Sequence, residues 1–271
     1  MEVGEVLLAN GSVRIKRTRH GLMAYNINDL FVGRSLDCYG EYSRGEVSLF
    51  AQLAAPGGVA LDVGANIGAL TLSLAQIVGP GGTVIAFEPQ RAVHQLLCTN
   101  LALNEANDVR AIHAAAGQRV GQTFVPVSDY GKPGNFGGTE LTDKGGEPVA
   151  VMSIDSLQLP ACQFIKIDVE GQEQSVIAGA IATIARFRPA LYVENDRRHQ
   201  SPDLIRQIQA LDYACYWHLP PLYTPDNFYR NATNVFPMIV SIDMMCLQNG
   251  DARKVEGMKP ITGPDNWPFA N

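Results

Sequence analysis

No C-x-x-C pair occurs among the five cysteines Cys38, Cys98, Cys162, Cys215 and Cys246. An odd, scattered set excludes a disulfide framework and a thiolate zinc site, and reads as free buried thiols. No apolar run reaches the roughly 18 residues that a membrane-spanning helix needs. The opening Met1-Glu-Val-Gly-Glu5 has neither the basic nor the apolar region of a secretory leader. The expectation is therefore a cytoplasmic chain with no membrane partner. A basic surplus is missing too: the net charge is −6, which counts against a nucleic-acid partner. What remains is globular in composition, 46% apolar and 18% charged over 271 residues, enough to bury a sizeable core.

The most informative stretch is Ala60-Leu-Asp-Val-Gly-Ala-Asn-Ile-Gly68. An apolar run ends at a tight glycine turn, and Leu70, Leu72, Leu74 and Ile77 then follow as a buried helix. Strand, turn and helix together form the mouth of a nucleotide-type site in an open α/β sheet. Dinucleotide sites read G-x-G-x-x-G and rest a pyrophosphate on the helix N-terminus. Here the reading is D-x-G-x-N-x-G through Asp62, Gly64, Asn66 and Gly68, which resembles the first motif of class I S-adenosylmethionine (SAM) dependent methyltransferases. A second acid, Glu88, followed by Pro89, ends the next apolar run, where its two oxygens suit the vicinal hydroxyls of a ribose.

Around this centre the spacing predicts a β hairpin at Asn10-Gly11, a short strand over 21–27, and an amphipathic helix through Val47, Leu49, Phe50 and Leu53. Strands over 59–63, 83–88 and 109–115 alternate with helices over 67–78 and 91–103, the pattern of a parallel sheet with right-handed crossovers. Residues 119–127 and 148–153 read as two extra strands, separated by the glycine-rich loop Asp129 to Gly138, a candidate flap or an inert loop. Phe164 to Val169 reads as a strand and Gly171 as the start of a helix. Lys166, Asp168 and Glu170 share one face of that strand, so they pair, face a ligand or cap the helix. Arg188 to Glu194, Asp212 to His218 and Met238 to Leu247 complete the strands, and the residues after Gly250 read as surface coil.

Combined, D-V-G-A-N-I-G, F-E-P, I-K-I-D-V-E-G-x-E and P-A-L-Y-V-E resemble the FkbM family of SAM-dependent methyltransferases over roughly residues 20 to 248. Gly40-Glu41-Tyr42 with Glu46, Ser153-Ile-Asp155 and Asn227-Phe228 belong to the same resemblance, and K-I-D-V-E-G-x-E is its most specific element. It implies a Rossmann-like, mostly parallel seven-strand sheet with helices on both faces and a final hairpin that makes the last strand antiparallel. It also implies SAM as cofactor, and methyl transfer to a hydroxyl of a sugar or secondary metabolite. The chain then divides into a β extension and capping helix (1–55), the methyltransferase domain (56–250) and a coil tail (251–271). Asp243 departs from the family, which tends to show Asn there.

The cofactor residues on this reading are Tyr42, Glu46, Asp62, Gly64, Asn66, Gly68, Glu88 and Pro89. Methyl transfer is positioning plus, for an alcohol, removal of a proton. Asp168, Glu170, Glu194 and His218 are the candidate bases, each ending a strand on one rim. A divalent metal held by the carboxylates is a further option that no spacing establishes, so none is assigned. Pro220-Pro221 follows Leu219, so the D/N-P-P-Y/F motif of enzymes that methylate amino groups in nucleic acids is missing. A small-molecule acceptor is expected. N-methylation, RNA methylation or silent SAM binding are the alternatives.

Overall fold

The computed structural model describes residues 4–253 and 255–269. The opening segment read for a leader thus lies partly outside the described residues. Strands β1 (Val6–Asn10), β2 (Val13–Thr18) and β3 (Gly21–Asn26) form an antiparallel sheet of their own, followed by α1 (Val32–Tyr39) and α2 (Arg44–Leu53). The core follows as β4 (Val59–Val63), α3 (Ala69–Val78), β5 (Thr83–Phe87), α4 (Arg91–Leu103) and β6 (Val109–Ile112). A second small sheet holds β7 (Ala115–Ala116), β8 (Gly121–Val125) and β9 (Glu147–Met152). The chain returns through β10 (Phe164–Ile167), α5 (Glu173–Ala178), α6 (Ile181–Phe187), β11 (Ala190–Glu194) and α7 (Ser201–Ala210). It finishes with β12 (Tyr213–His218), β13 (Asp243–Gln248) and β14 (Lys259–Pro260).

The main sheet runs β14-β12-β13-β11-β10-β4-β5-β6. From β11 to β6 all neighbours are parallel, whereas β13 pairs antiparallel with both β11 and β12. The sheet therefore has eight mixed strands, not the expected seven. The eighth comes from the tail, expected to be coil, where Lys259 and Pro260 pair with Trp217 and Tyr216. A proline is tolerated there because an outer edge needs no donor.

Alternation along each buried strand feeds two cores. Leu61, Val63, Ile85, Phe87, Ile165, Ile167, Leu191 and Val193 point to one face, where α5, α6 and α7 pack. Ala60, Val84, Phe164, Ala190 and Tyr192 point to the other, against α2 and α3. The single helix expected from Gly171 is two, α5 and α6, separated at Gly179. A Cβ there would stand 2.1 Å from the Gly117 carbonyl oxygen, so helix and loop meet at bare backbone.

Two details of the N-terminal part position the site. Asn100 on α4 and Asn104, which caps its C-terminus, hydrogen-bond the N–H and C=O of Ala24 and Leu22 respectively, so this end of α4 satisfies the outer edge of β3. The Asp29 carboxylate accepts from the N–H groups of Phe31 and Gly33, which starts α1, a helix the sequence reading did not anticipate. Among the described residues no helix is long and apolar enough to cross a membrane.

Candidate active site

The site lies at the carboxyl ends of β4, β5, β10 and β11, where open parallel sheets take their ligands. Gly64 makes the turn after β4 with φ +83°, and a Cβ would stand 1.7 Å from the Asp168 carbonyl oxygen, so no other residue fits. Asn66 is also left-handed at φ 51°. Its N–H donates to Glu88 Oε2 at 2.9 Å, while Gln90 N–H donates to Oε1 at 2.8 Å. The acid at the end of β5 is thus tied to the glycine turn. Burial raises the Glu88 pKa to about 7.

Lys166 sits beneath the turn. Its register partner across β10 and β4 is Asp62, and both are fully buried. Nζ donates to the Gly64 carbonyl at 3.0 Å and forms ion pairs with Asp62 at 3.1 Å and Asp168 at 3.3 Å. Burial works to discharge this lysine, but Asp62, Asp168 and Glu46 together hold it protonated. Thr71 donates to the other Asp62 oxygen at 2.7 Å.

Above the turn opens a cavity of about 390 Å³, lined by Tyr42, Gly64, Asn66, Glu88, Lys166, Asp168, Glu170 and Glu194 among others. A smaller space of about 40 Å³ lies behind it, against Pro89, the 114–116 segment, Thr139 and Leu141. Gly137 lines both spaces. It belongs to the glycine-rich loop, which crosses the site as a strap: Phe136 C=O accepts from Gln90 Nε2 at 2.7 Å, and Leu30 N–H donates to the Gly134 carbonyl.

Asp168, Glu170 and Glu194 present carboxylate oxygens within 4.8 Å of one another and line the cavity. Glu170 has a left-handed backbone, φ 55°, and its carboxylate accepts from Arg197 Nη2 at 2.8 Å. Its pKa rises to about 7, first through burial and then through Asp168. Glu194 is pushed well above the ordinary carboxylate range by burial and by Asp168, Glu170 and Asp196.

Four of the twelve sequence-derived site residues do not line either space. Asp62 lies under the turn, held by Lys166 and Thr71. Gly68 (φ +88°) starts α3, where a Cβ would press on Leu97 at 2.7 Å. Glu46 is buried in the first turn of α2, accepting from Ser43 and, at 3.4 Å, from Ser241. His218 ends β12 on the expected rim but stands outside the cavity, so its candidacy as the base is corrected. Its Nδ1 is 2.8 Å from the Tyr192 hydroxyl, which donates to Asp243, and burial lowers its pKa to about 4. Conversely, Phe31, Val32 and the 239–242 segment line the cavity without having been singled out. The expected strand from Met238 begins only at Asp243, and the residues before it form the rim.

The residues present suit a nucleoside that carries no phosphate. A Cβ-free turn permits close approach, a carboxylate stands at the next strand tip, and the volume falls in the roughly 300–1,000 Å³ range of small-molecule sites. Residues 62–215 match the family model of the methyltransferase FkbM domain, and the chain belongs to that family. Its cofactor is S-adenosylmethionine.

Among solved structures, the chain is similar to the methyltransferase FkbM of Methylobacillus flagellatus KT, at 21% identity and TM-score 0.48, over 74% of this chain and 50% of that one. The chain thus spans half the length of that protein. It is also similar to a precorrin-6y C5,15-methyltransferase of Geobacter metallireducens GS-15, at 10% identity and TM-score 0.49, over 76% and 89% of the two chains. Aeropyrum pernix fibrillarin, crystallised with S-adenosyl-L-methionine, matches at 14% identity and TM-score 0.45 over 91% and 99%. A search of curated proteins found no match.

Proposed function

We propose that the chain is an O-methyltransferase acting on a hydroxyl of a small organic molecule. The observation that carries this reading is the shared cavity: the Glu88 turn faces Asp168, Glu170 and Glu194 across one space, so donor and proton acceptor stand together. SAM supplies, when bound, a methyl group on a sulfonium. The glycine turn and Glu88 hold the nucleoside, with Tyr42 and Asn66 beside it on the cavity wall. Glu170 takes the proton of the acceptor hydroxyl. Its pKa near 7 leaves it half ionised at neutrality, a favourable value for a general base. Arg197 keeps that carboxylate pointed into the cavity.

The acidic balance of the chain favours a small molecule over RNA. The test is methyl transfer from labelled SAM to a panel of sugar and polyketide alcohols, with amines and RNA alongside. Label on oxygen is expected, and Glu170→Gln should retain SAM binding while lowering kcat by roughly 10²–10⁴. Label on RNA or nitrogen alone would overturn the reading, and SAM binding with transfer to no acceptor would point to a silent binder.

A further inference from the structure

We propose that the chain holds a second small-molecule site, between α4, the first hairpin and the strap, for a neutral ring compound that carries a hydroxyl. Its occupant locks the strap over the cofactor cavity, so it is an effector of SAM binding and not the methyl acceptor.

The first support is a separate cavity. It measures about 280 Å³, beside the lower end of the roughly 300–1,000 Å³ range of small-molecule sites. Of the residues that line it, only Asn66 also lines the cofactor cavity, and none lines the smaller space behind that one. Asn66 is the residue whose N–H is tied to Glu88, so the two cavities meet at the glycine turn.

The second support is the chemistry of the walls. Val13, Ile67, Val93 and Leu96 make them apolar, and the rings of Tyr130 and Phe136, 4.8 Å apart, add a flat aromatic side. No lysine or arginine lines the space. Its one acid, Asp29, is already committed, accepting from the N–H groups of Phe31 and Gly33, and burial raises its pKa. A charged ligand would thus enter without a counter-ion, whereas a neutral ring covers apolar surface and meets aromatic faces. Ser12 at the hairpin turn, with Gln95 and Thr99 on the exposed side of α4, supplies partners for one hydroxyl.

The third support is the strap, which is clasped beside this cavity. Asn26 Nδ2 donates to the Tyr130 carbonyl at 2.8 Å, Gly134 N–H donates to the Asn28 carbonyl at 3.0 Å, and Leu30 N–H returns to the Gly134 carbonyl at 3.0 Å. Phe136 lines the second cavity, while its carbonyl is held by Gln90 and the next residue, Gly137, lines the cofactor cavity. A ring packed on Tyr130 and Phe136 therefore favours the closed strap, and with it the cofactor. By reciprocity the cofactor tightens the second ligand by the same factor.

The experiment uses two probes with one ring system, 2-naphthol and the anion 2-naphthoate. Each is titrated calorimetrically into the full chain, alone and with saturating S-adenosylhomocysteine. 2-Naphthol should bind at a single site, tighter than 2-naphthoate by about tenfold or more, because a buried carboxylate finds no partner there. S-adenosylhomocysteine should tighten 2-naphthol by about fivefold or more, the usual scale of coupling between sites. Leu96→Trp, or the more exposed Thr99→Trp if the first fails to fold, fills the cavity and should abolish 2-naphthol binding while S-adenosylhomocysteine still binds. The proposal is overturned by an absence of saturable binding, by equal binding of the two probes, or by an affinity indifferent to S-adenosylhomocysteine. Binding that survives in the folded variants overturns it too, since it places 2-naphthol elsewhere, the acceptor side of the cofactor cavity included. Failure of S-adenosylhomocysteine to bind would instead fail the methyltransferase reading, and the titrations without it score the second cavity separately.

Discussion

Lys166 is the residue whose removal reaches furthest. Its ammonium is the common partner of Asp62, Asp168 and the Gly64 carbonyl, so it ties the tip of β10 to the turn after β4. Lys166→Met keeps the shape of the stem and removes the charge, leaving Asp62 buried and unpaired. A loss of about 3–5 kcal/mol is expected in urea unfolding, as for other broken buried pairs. Adding Asp62→Asn should recover part of it, and a double variant no more stable than the single would show that the pair is not coupled. Glu88 belongs to the same scale. Glu88→Gln keeps the size of the side chain and removes the charge that a ribose hydroxyl would meet. SAM binding should weaken by about 1.5–3 kcal/mol in calorimetry. Because burial sets the Glu88 pKa at about 7 and bound hydroxyls favour the carboxylate, wild-type affinity should fall as pH drops from 8 to 6. That slope should flatten in Glu88→Gln. An unchanged slope would assign the titration to another group.

At the level of elements, the strap over residues 129–142 depends on Gln90, whose amide donates to the Phe136 carbonyl and whose oxygen receives the Tyr130 hydroxyl at 3.2 Å. Gln90→Ala should loosen the strap at a global cost of only about 1 kcal/mol. Trypsin should then cut faster after the exposed Lys144, at the base of the strap, and SAM should no longer slow the cut. Equal cleavage rates would mean that the strap is held elsewhere. The strap also shows where sequence reading succeeds and stops. β4 and β10 were legible because a buried parallel strand is an unbroken apolar run, and an acid or lysine in it can only sit near its end or in a pair. The glycine turn was legible because its spacing departs from that of phosphate-binding loops. α1 was not, since Gly33 and the β-branched Val32 weaken its propensity and Asp29 starts it from outside the apolar pattern. Nor were Phe31 and Ile239, whose places on the cavity wall depend on how distant loops fold back. His218 was misread for a related reason: the strand end gave the right rim, but not the neighbour Tyr192 that occupies its ring.

Over the whole molecule, the acids gathered at the sheet's carboxyl edge make the site a destabilising feature. Glu46, Glu88 and Glu170 all have pKa values raised from the ordinary 4.5 to about 7, burial being the largest cause in each. Between pH 4.5 and 7 the folded chain therefore binds more protons at these groups than the unfolded chain does, so stability falls as pH rises through that window and levels off above it. For the deeply buried Glu46 and Glu88 the loss is on the order of 3 kcal/mol each. His20, His94 and His218 act in the opposite sense, because their lowered pKa values cost stability as pH falls below 6.5, but Asp29, Glu173, Glu194 and Asp243 are raised alongside the three glutamates and outnumber them. The ligand-free chain should accordingly melt at a higher temperature at pH 6 than at pH 8. Saturating SAM should narrow the difference, since a ribose at Glu88 rewards the ionised carboxylate that burial penalises. Melting curves at the two pH values, with and without SAM, measure both effects. A chain equally stable at pH 6 and pH 8 would mean that these carboxylates keep water in the folded state, and the account of burial as the cause of their raised pKa values would have to be abandoned.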